Sequence, residues 1–475
     1  MKRREFLGYT ALGAVGAASA ALLGGCDNGE PKVKFWQHGN FRPVTEEVAV
    51  TDLKVQGQIP PELNGLYVRN GTNTSRGVAE HFFGGDGMLH GVRLENGQAK
   101  WYRNRYVNTP LYRDEGGGFG STNGEDTTSA VSLIHHAGRL MSLGEFGYPY
   151  LINPDDLSTL GAFNYDGKLT GNMTAHPRID PVTGELLFFG YNVMEPYLTY
   201  MRADAAGNLV QVEPITLTGP SMVHDFAATE RYVVFMEMPV RFSWLAAISG
   251  SALPFKWDGN APTRVGVMPR TGGDADIKWF DIPPCFVFHI MNSFERGDDV
   301  IVDAARYDQL WVKNSHDFFH PARLSRFTMN MRTGQASVEQ IYGEAMEFPQ
   351  VNRSQWTRPY RYGYSLVVDE KNDSPERIAQ AEGGIRKYDV ETGAVDSYLP
   401  GPELTPGEAI FIAARDGAAE DEGYLASFVY NKNTRTSAFC LFDATRVSAG
   451  PIASVPLPVR VPVGFHGVWV PDDVA

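Results

Sequence analysis

Cysteine is scarce: three residues in 475, at Cys26, Cys285 and Cys440. A disulfide framework is therefore excluded, and at most one internal bridge, Cys285 to Cys440, remains possible if Cys26 is used elsewhere. Basic residues are in deficit, 42 against 56 acidic, for a net charge of −14, which argues against a nucleic-acid partner because a phosphate backbone would meet net repulsion. Long apolar runs are lacking too. Helical periodicity is scarce, no strict repeat of the WD40 kind declares itself, and neither a nucleophile motif nor a glycine-rich phosphate loop is found. What is present is a chain 43% hydrophobic and 12% aromatic, enough for a large core and incompatible with disorder.

The N-terminus reads as an address. Arg3 and Arg4 precede a weakly apolar Ala/Gly run from Ala11 to Leu23, the layout of a twin-arginine export signal. Leu23-Gly24-Gly25-Cys26 is similar to a lipoprotein processing box, in which Cys26 is lipidated. A transmembrane helix is the weaker reading, since the run is short and glycine-rich. The expected organisation is a signal over 1–25, a tether and lead-in over 26–58 and one catalytic domain over 59–475, with a periplasmic, membrane-anchored product.

Beyond residue 27 short β-type runs alternate with Gly/Asn/Asp turns, such as Glu95-Asn96-Gly97, Asp180 to Gly184, Asp204 to Asn208, Asn330 to Gly334 and Asp389 to Gly393. Strand text such as 185–191, 231–238 and 299–305 lies between them. So many strands in one domain favour closed radial repetition, because an open sheet would expose long edges. The expected class is all-β, a β-propeller before a large sandwich. One stretch, 241–257, is apolar and bracketed by bases. It reads either as a buried connecting helix or, around 243–255, as an apolar patch at a ligand entrance or membrane surface.

Of eleven histidines, His38, His316 and His320 lie in loop-like text, and His135 and His136 alternate along a strand. His176, His224, His289 and His466 instead sit in apolar, strand-edge text. Neutral imidazole is a common metal ligand, and a propeller brings distant inner strands to one axis, so wide separation does not forbid a shared site. Spacing alone leaves a core role open for each.

Seven segments carry a resemblance. Pro60 to Gly71, Phe83 to His90, Thr174-Ala175-His176-Pro177, Val223-His224-Asp225-Phe226, Phe288 to Glu295, Glu347-Phe348-Pro349 and Leu457 to Gly467 occur in an order that resembles the carotenoid cleavage oxygenase family over roughly residues 60–470. The resemblance implies a seven-bladed β-propeller with loops and short helices capping the active-site face, and one non-haem Fe(II) on His176, His224, His289 and His466. It further implies that Glu145, Glu347 and Glu408 orient His224, His289 and His466, since a carboxylate accepting the distal ring N–H fixes the tautomer and aims the ligating nitrogen. Four imidazoles would saturate a tetrahedral ion such as zinc, whereas six-coordinate iron keeps positions open. The implied reaction is oxidative scission by O₂ of a C=C bond in a carotenoid, apocarotenoid or related polyene, giving two carbonyl fragments.

Two positions bear on substrate. Val131 falls where several microbial relatives carry a threonine near the open iron site. Stilbene-cleaving relatives use a tyrosine and a lysine on the substrate phenol, and Gly144 occupies the lysine position, so the polyene is favoured over a stilbene or phenylpropene. Tyr102 and Tyr106 are candidate contacts to a substrate ring, with core packing as their alternative. Asp86-Gly87 reads as a hairpin turn, and His90 lies outside the ligand set. The reading from another class is a lipid-anchored propeller that binds an apolar ligand without turnover.

Overall fold

The computed structural model describes residues 34–117, 121–318, 320–370 and 382–472, so the expected export signal over 1–25 and the expected lipidation at Cys26 fall outside the described residues. Its strands are antiparallel and fall into seven sheets radiating from one axis, with two of them continuous through the long strand Ala336–Val351. Blade 1 comprises Ser132–His136, Arg139–Leu143, Tyr150–Ile152 and Thr159–Ala162. Blade 2 starts at Arg178–Ile179, blade 3 at Ala227–Ala228, blade 4 at Phe286–Arg296, blade 5 at the C-terminal half of Ala336–Val351 and blade 6 at Leu404–Pro406 and Ile410–Ala413. Blade 7 joins both ends of the propeller: Gly467–Pro471 pairs with Gly65–Arg69, residue 65 opposite 471 and residue 69 opposite 467. This closure leaves the ring no open edge.

Strands in such a ring are buried on both faces, and alternation therefore sorts apolar side chains between two neighbouring blades rather than between core and water. Leu66 and Val68 of blade 7 pack on Leu133, Leu140 and Ile152 of blade 1, while Tyr67, between them, faces Phe428 and Phe439 of blade 6. The turns follow their sequence. Asn96 and Gly97 both have positive φ, 50° and 73°, the geometry an Asn-Gly hairpin requires. Asp180 accepts the N–H groups of Val182 and Thr183 at 2.8 and 2.9 Å.

One expectation needs correction, and two open alternatives are decided. Asp86-Gly87 is not a hairpin turn: it closes the base of a loop, where Asp86 accepts Ser75 N–H and O–H and a Cβ on Gly87 would lie 2.3 Å from the Ser129 carbonyl. Cys285 and Cys440 are both buried and free, so they form no bridge. The 241–257 stretch is no buried helix. It forms a short ribbon, Val240–Phe242 with Phe255–Trp257, around the helix Trp244–Ile248, on which Leu245 and Ile248 are 73% and 75% exposed. Among the described residues no helix is long and apolar enough to cross a membrane.

Candidate metal centre

Each blade delivers one polar residue to the axis. His176, His224 and His466 immediately precede or nearly precede the first strand of blades 2, 3 and 7, and His289 lies within that of blade 4. Glu145 follows the second strand of blade 1, Glu347 belongs to the first strand of blade 5, and Glu408 lies between the two inner segments of blade 6. The four imidazoles converge. Nitrogens of His176, His224 and His289 lie within 4.8 Å of one another, and His466 Nε2 is 3.1 Å from His289 Nε2. The Nε2 atoms of His176 and His224 stand 3.0 Å apart.

Tautomers follow from the partners of Nδ1. His224 Nδ1 meets Glu145 Oε1 at 3.0 Å, His289 Nδ1 meets Glu347 Oε2 at 2.5 Å, and His466 Nδ1 meets Glu408 Oε1 at 2.7 Å. An ionised carboxylate only accepts, so each Nδ1 carries the proton and each Nε2 turns a lone pair inward. Lone pairs crowded to about 3 Å repel unless a cation sits among them, and a set of neutral imidazoles fits a divalent first-row metal. Burial, reinforced by the neighbouring rings, pushes His176 well below the ordinary histidine value. Burial also lowers His289, whereas at His224 burial is outweighed by the Glu145 carboxylate and proton affinity rises. Burial would raise Glu347 and Glu408, but their imidazole partners and other donors hold both below the usual carboxylate value.

The glutamates are themselves held. Tyr191 O–H donates to Glu145 at 2.7 Å and Tyr307 O–H to Glu347 at 2.7 Å. Glu408 receives Gln350 Nε2 at 2.8 Å and the Gly467 N–H at 2.7 Å. Sequence reading missed Tyr191, Tyr307 and Gln350, because nothing local marks a strand residue as the donor to a carboxylate 40 to 58 positions away in a neighbouring blade. It also missed Asp225, although that residue adjoins His224.

Val131 is beside the centre, its carbonyl accepting the His466 N–H at 3.1 Å. Gly144 is walled in: a Cβ there would lie 2.5 Å from Thr127 Oγ1. Tyr102 and Tyr106 are withdrawn as substrate contacts. The Tyr102 hydroxyl pairs with buried His90 at 2.9 Å, and that of Tyr106 accepts Asn73 Nδ2 at 2.6 Å, because their strand, Gln98–Tyr106, lies well out in blade 7 rather than at its axial edge.

One cavity adjoins this arrangement and a second opens at the surface. A small one, about 50 Å³, touches His176, His289 and His466 and continues to Arg178, Asp225, Arg353 and Trp356. A larger one, about 430 Å³, opens at the surface between Thr74, Arg76, Glu80, His81 and Ala252. From His81 a row of rings leads inward: Phe83 at 5.3 Å, Phe288 at 6.4 Å from Phe83, and His224 at 5.1 Å from Phe288. Phe348 stacks on His289 at 5.1 Å.

Residues 41–471 match the model of the retinal pigment epithelial membrane protein family. The chain is 36% identical to a carotenoid 9,10(9',10')-cleavage dioxygenase 1 of Pisum sativum, covering 92% of this chain and 90% of that one. Among solved structures it is similar to the lignostilbene dioxygenase of Pseudomonas brassicacearum, TM-score 0.83 and 27% identity over 93% and 99% of the two chains. It is also similar to cobalt-substituted Synechocystis ACO, TM-score 0.81 and 26% identity over 92% and 98%.

Proposed function

The chain belongs to the retinal pigment epithelial membrane protein family of carotenoid oxygenases, and from that premise we propose that it is an Fe(II)-dependent dioxygenase cleaving a C=C bond of a carotenoid, apocarotenoid or related polyene to carbonyl products. The observation that carries the proposal is the convergence of four imidazoles, three of them oriented by glutamates. Ferrous iron bound there would supply activation of dioxygen toward an electron-rich double bond. His176, His224, His289 and His466 would hold it through Nε2, and their neutrality leaves the ion its full charge and open positions.

The protein's remaining work is binding and exclusion of water. The row from Phe83 through Phe288 to His224, with Phe348 against His289, offers aromatic rings to an extended apolar molecule. The surface cavity at Thr74 to His81 would admit it. No side chain is required as general acid or base, since both oxygen atoms end in the two carbonyls.

The polyene is preferred to a stilbene because the position where a lysine would meet a substrate phenol is Gly144, and the space for a side chain is taken by Thr127. We further infer, from the sequence layout, export by the twin-arginine route and anchorage through Cys26. The exposed Trp244, Leu245 and Ile248 lie near Ala252 at the cavity mouth and would rest on a lipid surface that holds the substrate.

The test is purified protein loaded with Fe(II), given apocarotenals and hydroxystilbenes in air, with oxygen uptake and fragment masses measured. Polyene fragments matching one cleaved bond support the proposal. An iron-binding protein that consumes no oxygen with any of them would leave the non-catalytic binder as the reading.

A further inference from the structure

The two histidines held with least backbone support are His176 and His224. The strands that follow them are two residues long: Arg178–Ile179 pairs only with Leu187 and Leu186, and Ala227–Ala228 only with Val234 and Val233. His289, by contrast, lies in an eleven-residue strand, at an irregularity between the paired residues Val287 and Ile290. Something other than the strand ladder has to set the height of the first two rings relative to the third.

One buried carboxylate meets all three segments. Asp225, adjacent to His224, accepts the N–H of Ile290, adjacent to His289, at 2.8 Å. It also accepts Arg178 Nη2 at 2.9 and 2.8 Å, and Arg178 is two residues from His176. Its fourth bond is to the Phe226 N–H at 2.8 Å. The Asp225 side chain is 1% exposed, and Arg178 rests over the Trp356 ring at 5.5 Å.

We infer that Asp225, latched to Arg178, is a positioning residue that sets the spacing of His176, His224 and His289 across blades 2, 3 and 4. The inference rests on the metal-centre reading above and adds to it a residue outside the four imidazoles and their glutamates.

Asn in place of Asp225 is a severe change despite its shape. All the groups around the carboxylate are N–H donors in fixed positions, so the amide nitrogen must face one of them, and no hydroxyl is there to turn and accept it. A purely structural role would make Asp225→Asn behave like Asp303→Asn, which disrupts another buried pair, Asp303 with Arg326 at 2.8 Å, inside blade 4.

The experiment titrates metal-free wild type, Asp225→Asn, Arg178→Lys and Asp303→Asn with Co(II), reading dissociation constant and ligand-field bands, alongside the melting temperature of each metal-free protein. Asp225→Asn and Arg178→Lys are expected to weaken Co(II) binding about 10–100-fold, the usual range for partners behind the ligands, and to shift the bands. Asp303→Asn is expected to melt earlier and bind Co(II) as wild type does. Wild-type affinity and bands in Asp225→Asn would overturn the inference. If that variant does not fold, Arg178→Lys decides it by the same criterion. Wild type that binds no Co(II) would overturn the metal centre itself, and wild type that binds Co(II) but cleaves no polyene when loaded with Fe(II) instead would overturn only the proposed reaction.

Discussion

Replacing Glu347 by glutamine exchanges one oxygen for an amide nitrogen, and the surroundings dictate how the new group sits. Oε2 accepts His289 Nδ1–H and the Phe348 N–H, whose positions are fixed, while Oε1 accepts the Tyr307 hydroxyl, which can rotate. The amide oxygen therefore takes the Oε2 side, the nitrogen turns to Tyr307, and Tyr307 becomes the acceptor. Every contact survives, but the bond to His289 loses its charge. Charged hydrogen bonds are worth about 1.5–3 kcal/mol and neutral ones about 0.5–1.5, so the loss is about 1–1.5 kcal/mol, roughly tenfold in metal affinity at 1.4 kcal/mol per decade. Glu347→Ala differs in kind. It strands the His289 Nδ1–H, the Phe348 N–H and the Tyr307 hydroxyl at about 1–3 kcal/mol each, at least about 3 kcal/mol together. Competition of each metal-free variant against a chelator for Fe(II) would measure the loss of metal affinity, and urea unfolding of the metal-free variants the cost of the stranded groups. Equal effects of Gln and Ala, or a Gln variant identical to wild type, would refute the account of Glu347 as a charged acceptor.

His289→Ala is expected to abolish metal binding and cleavage while retaining the circular dichroism of the folded protein; metal content of the purified variant checks it. Gly144→Ala is expected to lower stability by about 1–3 kcal/mol through overpacking against Thr127, seen as an earlier unfolding midpoint in urea. His81 is neutral in the fold: its Nε2–H donates to the Ser315 carbonyl and Nδ1 accepts the Phe83 N–H, and burial lowers its pKa from 6.5 to about 3. The unfolded chain takes up this proton first, so stability from His81 is whole above pH 6.5 and falls as pH drops toward 3, by up to about 5 kcal/mol. His81→Gln should flatten the fall in unfolding free energy between pH 6.5 and 4 relative to wild type; a slope equal to wild type would show that His81 does not carry it.

Most of the turns and the all-β class are local properties, and the sequence by itself determined them. Asn96-Gly97 bends because asparagine and glycine adopt positive φ at little cost, and the seven segments marked the family and its four histidines without coordinates. Local text could not decide whether 241–257 is buried or exposed, because an apolar run is compatible with either until its neighbours are known; the fold put Leu245 and Ile248 on the surface. Nor could it separate Tyr102 from Tyr307. Both are strand tyrosines, yet one lies out in blade 7 against His90 and the other reaches Glu347. Asp225 shows the same limit from the other side: its neighbour His224 was evident, but its bonds to Arg178 and Ile290 exist only because blades 2, 3 and 4 are adjacent on the ring. A residue's type and its immediate neighbours set its own backbone, whereas a partner 47 or 65 positions away is set by how sheets pack around an axis, and that packing belongs to the tertiary structure alone.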